Sequence, residues 1–145
     1  MRRAPGLALA GAVAAVAACA SAPEVPQAAA DPAATCHAMF DGDADIQQQL
    51  ANAGSDGNAL CACFVSEHAA LDPDGASNML AVAAKVIEVR DAKGFATVEE
   101  AVELMEDDRD GAAYGFPSDR LKAGGEPIEE AILRAQRDPA GCMAP

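Results

Sequence analysis

Five cysteines carry the most reactive side chains in this sequence: Cys19, Cys36, Cys61, Cys63 and Cys142. Two of them form Cys61-Ala62-Cys63, inside a segment, residues 58–70, that reads as helix. On a helix each residue turns about 100°, so positions two apart point about 200° away from each other. The two sulfurs therefore cannot share a partner without distorting the helix, and each must reach a different neighbour. Cys36 and Cys142 are the available neighbours, giving two disulfides that tie both ends of a domain to its central helix. Which of them meets Cys61 and which meets Cys63 is open at this stage. The competing chemistry is a metal or redox site, for which Cys36-His37 and Cys61-x-Cys63 with His68 offer soft ligands. Zinc sites use Cys pairs with two to four residues between them, a spacing that a helical Cys-x-Cys, with one, does not supply. Cys-x-x-Cys-His, the haem-attachment pattern, does not occur, and no βαβ pattern of a thioredoxin-like fold surrounds the cysteines.

Carboxylates supply the second set of candidates. Asp41-Gly42-Asp43-Ala44-Asp45 places acids at positions 1, 3 and 5 of a calcium loop, but position 6 is Ile46 instead of glycine and position 12 is Asn52 instead of glutamate. Glu106-Asp107-Asp108-Arg109-Asp110-Gly111 has the glycine and then Pro117 where the glutamate belongs. Asp41, Asp43 and Asp45 are thus candidates for weak calcium binding. The structural alternative makes Asp43 or Asp45 a helix N-cap and the second cluster a solvated helix end. Gly-x-Ser-x-Gly, His-Glu-x-x-His and phosphate-cradling glycine loops are missing, and His37 and His68 are the two histidines. His68 shares a helix face with Leu60, Phe64 and Leu71, which suits a core-edge role better than proton transfer. No enzyme activity and no cofactor are expected.

The elements that must hold these residues follow a helical period almost throughout. Asp31-Pro32 has the N-cap and first-turn proline of a helix start. Met79, Val82, Ala83, Val86 and Ile87 repeat at i, i+3, i+4, predicting a helix over 77–92 that Gly94 ends. Val98, Ala101, Val102 and Met105 continue the pattern, with Thr97 and Glu100 at capping-box spacing. Ile128, Ala131, Ile132 and Ala135 predict a last helix, opened by Glu126-Pro127 and stopped near Asp138-Pro139. Connections are expected at 54–57, 72–76 and 110–118. Alternating β-branched runs are lacking, so the fold class is all-α, a small bundle of four to six short helices. The core is thin: alanine dominates the apolar residues, tryptophan is missing, and the aromatics are Phe40, Phe64, Phe95, Tyr114 and Phe116. A domain of this size gains much from covalent staples.

Ahead of the bundle, Arg2 and Arg3 precede an uncharged run over 7–18 of the length used for export rather than for spanning a bilayer. Val16-Ala17-Ala18-Cys19 has the aliphatic, small, small, cysteine order of a lipobox, and here the chain resembles bacterial lipoproteins, with Val16 where leucine is commonest. The resemblance implies that Cys19 receives a diacylglyceryl group, that the signal over 1–18 is cut away, and that the new amine takes a further palmitate-type acyl chain. Ala20 and Ser21 resemble the residues that follow the cysteine in lipoproteins sent to an outer membrane. Residues 19–34, rich in alanine and proline, then read as a tether to a helical domain over 35–145. The early Cys, helical Cys-x-Cys and terminal Cys are also similar in layout to small helical periplasmic proteins without assigned functions.

The formal net charge is −13; without Arg2 and Arg3, 8 basic side chains face 23 acidic ones, or −15. Such a surface repels phosphate backbones and anionic head groups, which speaks against nucleic acid as a partner. The sequence thus points to a lipid-anchored helical module on the periplasmic side of a membrane, the outer one favoured, acting by contact with another envelope protein. The alternative is a soluble periplasmic cation binder using the acidic loops or the Cys/His cluster.

Overall fold

The structure, a computed structural model, describes residues 31–143. The expected signal, Cys19 and the tether up to residue 30 lie outside the described residues. Among the described residues seven helices follow one another: α1 (Pro32–Phe40), α2 (Ala44–Asn52), α3 (Gly57–Ala70), α4 (Pro73–Lys93), α5 (Val98–Glu106), α6 (Ser118–Arg137) and the single turn α7 (Pro139–Met143). No strand occurs among the described residues. The all-α class stands, with one helix more than the upper expectation. The first helix opens three residues ahead of position 35, so the end of the expected tether belongs to α1.

Aspartates start most of these helices. Asp31 accepts from the Ala33 and Ala34 amides, Asp56 from Ala59, and Asp72 from Asp74 and Gly75. Each such cap supplies an acceptor to an otherwise orphaned N–H and contributes about 1 kcal/mol. Thr97 and Glu100 form the expected capping box at α5, and Gly94, at φ 70°, closes α4 in the left-handed conformation that glycine adopts without a Cβ clash.

Two boundaries differ from the sequence reading. α4 begins at Pro73 rather than near Ser77, because Asp72-Pro73 repeats the start signal of Asp31-Pro32 and outweighs Gly75. α6 begins at Ser118 and passes through Gly124, Gly125 and Pro127, so Pro127 lies inside the helix instead of opening it. An interior proline costs about 3 kcal/mol through its missing N–H and its ring. Burial of Leu121, Gly124, Ile128, Ala131 and Ala135 along one face of α6 offsets that cost.

Helix α3 packs against α1, α6 and α7, while α4 packs against α6, α1 and α5. Met39, Phe40, Leu50, Leu60, Phe64, Met79, Val86 and Met105 fill the space between them. The α4–α6 contact is tight because Gly124 has no side chain: a Cβ there would lie 2.6 Å from Val82 Cγ2 and 2.9 Å from Asn78 Nδ2. Asn78 locks the same contact, donating from Nδ2 to the Arg120 carbonyl and accepting from Arg120 Nε, both at 2.9 Å. Arg90 reaches from α4 to the end of α1, donating to the Met39 carbonyl at 2.6 Å and the Ala38 carbonyl at 3.1 Å. Those carbonyls have no intrahelical partner, so the guanidinium closes the helix end.

Candidate functional site

The four described cysteines resolve into two bridges. Cys61 pairs with Cys36 of α1 at a Cα separation of 5.5 Å, and Cys63 pairs with Cys142 of α7 at 4.7 Å. The two-residue step on α3 aims its sulfurs at opposite neighbours, as the helical geometry requires, and placement of α1 and α7 settles the pairing. The closed loops, 25 and 79 residues in sequence separation, do not overlap. By the chain-entropy relation they contribute roughly 3.5 and 4.5 kcal/mol. With every described cysteine in a bridge, none is left as a thiolate.

The acidic loop is a scaffold joint. Asp43, 1% exposed, uses Oδ1 to accept from the Asp45 amide at 3.1 Å and the Ile46 amide at 3.0 Å, and Oδ2 to accept from the Val98 amide at 2.8 Å. A single buried carboxylate thus caps α2 and the start of α5, fifty-five residues apart. Asp41 pairs instead with His37 Nδ1 at 3.1 Å, and Asp45 is an exposed residue of the first turn of α2. Among the described residues no group of three or more His, Cys, Asp or Glu is placed to hold a metal ion. His68 is half-buried on α3, next to Glu67, which accepts from Arg134 Nη1 across the α3–α6 contact. That hydrogen bond, against some desolvation, raises the Arg134 pKa. In the second cluster Asp108 folds the connection after α5, its Oδ2 accepting from the Ala113 and Tyr114 amides at 2.9 Å. Gly111, at φ 69°, sits where a Cβ would overlap the Pro117 backbone, so the same loop requires glycine.

The feature that the sequence does not display is a groove of about 430 Å³ between α5 and α6. It arises because both helices rest on α4. Val102 and Glu106 line it from α5, and Ser118, Leu121, Lys122, Gly125, Glu126 and Glu129 from one face of α6. Its floor is apolar and its rim carries three carboxylates against one ammonium. Lys122 stands 3.8 Å from Glu126, and both side chains are largely exposed. On the opposite flank of α5 a shallower cleft of about 270 Å³ sets Phe95 and Leu104 beside Glu100, Glu103 and Asp107. The run 99–110 holds seven acids and Arg109 as its one base, which makes α5 a negative ridge between two apolar depressions. A hint lay in the sequence, where Glu99, Glu103 and Glu106 repeat at helical spacing opposite the core residues.

Among the described residues no helix is long and apolar enough to cross a membrane. No protein family, curated protein or solved structure matches the chain.

Proposed function

We propose that this chain is exported, lipidated at Cys19 and held on the periplasmic side of a membrane, the outer one favoured, where its helical domain works by contact with another envelope protein. The observation that carries the reading is a pairing of features: a lipobox-type run ending at Cys19, followed by a domain whose four cysteines close into two disulfides. Structural disulfides persist in oxidising compartments, which suits the destination that such a signal implies. Acyl chains on Cys19, at ~0.8 kcal/mol per buried CH₂, would hold the protein stably once two or more are attached. The alanine- and proline-rich segment before α1 would set the domain off the bilayer, and its acidic surface is repelled by anionic head groups. Contact through a surface, without a catalytic step, is the role that this arrangement supports.

Fractionation tests the anchor. Wild type should sediment with membranes and carry acyl mass on its N-terminal peptide, while Cys19→Ala should move to the soluble periplasmic fraction. Identical fractionation of the two, with no acyl mass on the wild type, would refute lipid anchoring.

A further inference from the structure

We infer that the groove between α5 and α6 is a docking site for a basic amphipathic helical segment of a partner protein, an inference that rests on the protein-contact role proposed above. Val102, Leu121 and the bare backbone of Gly125 give the groove an apolar floor. Glu106 stands on one rim and Glu126 and Glu129 on the other, so a guest with apolar residues on one face and Lys or Arg along its edges is complementary on both counts. Ser118 to Glu129 covers twelve residues of α6, about 16 Å from first to last, which matches roughly three turns of a guest helix with anchors at i, i+3, i+4 and i+7. That length suits a segment better than a compact cation. The rim also selects by repulsion, since an acidic segment or an anionic membrane surface would face three carboxylates.

The test uses the full exported chain carrying Cys19→Ala, so its outcome does not depend on the anchor and separates failure of this site from failure of lipidation. The probe is a fluorescent amphipathic peptide of leucine and lysine with Leu at i, i+3, i+4 and i+7, compared with oligolysine of equal charge. Binding is read by anisotropy, and the site by amide shifts in NMR. The expected result is preferential binding of the Leu/Lys peptide, with the largest shifts at Val102, Leu121 and Gly125. E106Q/E126Q/E129Q should weaken it roughly tenfold with disulfides and circular dichroism intact, and K122E should strengthen it. A gain with K122E is not what loss of folding produces. The site assignment is overturned if the peptide does not bind, if oligolysine binds equally well, or if the variants leave affinity unchanged. It is equally overturned if concentration-dependent shifts at the same residues without peptide show a second copy in the groove, or if phosphatidylglycerol vesicles take its place there.

Discussion

Removing the Cys63–Cys142 bridge should destabilise the domain more than removing Cys36–Cys61, although both spring from the same turn of α3. The longer bridge closes a loop of 79 residues against 25, giving chain-entropy contributions of roughly 4.5 and 3.5 kcal/mol. Local packing widens the difference, because α7 is a five-residue helix, far below the length at which a helix holds itself, and Cys142 ties it to α3. For a domain of this size the loss in Cys63→Ala/Cys142→Ala should lower Tm by about 15–20 °C. Because the loops do not overlap, the two effects should nearly add to about 8 kcal/mol, comparable with the total stability of an ordinary domain. The fully reduced wild type should therefore be marginal or unfolded. The assay is urea denaturation of each double-alanine variant and of the reduced wild type, with the m-value expected to rise as each cross-link stops compacting the denatured chain. Equal stability of all forms, or a larger loss from Cys36→Ala/Cys61→Ala, would refute the reasoning.

Adjacent glycines in α6 should respond with opposite signs. Gly124→Ala should destabilise by about 1–3 kcal/mol, because the new methyl meets Val82 and Asn78, whereas Gly125→Ala, with nothing within 4 Å of its Cβ, should stabilise by about 0.5–1 kcal/mol. Paired thermal melts check both, and equal signs would contradict the α4–α6 contact. Asp43→Ala should lose about 2–3 kcal/mol by opening two helix starts at once, while Asp45→Ala at the exposed first turn should stay within about 0.5 kcal/mol. Hydrogen exchange should locate the damage at the Ile46 and Val98 amides, and protection unchanged at Val98 would show that Asp43 does not reach α5.

Local signals were legible in the sequence, and relations between helices were not. Asp31-Pro32, Thr97 with Glu100, and Gly94 each act through hydrogen bonds within a turn, so their meaning survives without the rest of the chain. Asp72-Pro73 carries the same message, but the glycine at 75 reads as a break until the cap geometry is seen. The first half of α6 defeats local reading altogether: Gly124, Gly125 and Pro127 all disfavour helix, and the face packed on α3 and α4 overrides them. Gly124 is disfavoured locally and required by packing. The Cys-x-Cys spacing demanded two partners because helix geometry is local, while the choice between Cys36 and Cys142 belongs to the positions of α1 and α7. Asp43 was legible as a cap of α2, but its second oxygen reaches Val98, a contact no sequence window contains. The groove likewise belongs to neither α5 nor α6 alone.

Export, lipidation and oxidation of this chain meet in one measurement, the unreduced mass analysis of the mature protein taken from its native envelope. The predicted result is a first residue at Cys19 bearing acyl mass, no thiol open to alkylation among Cys36, Cys61, Cys63 and Cys142, and cross-linked peptides joining Cys36 to Cys61 and Cys63 to Cys142. An unacylated N-terminus elsewhere, or four alkylated thiols, would contradict the account.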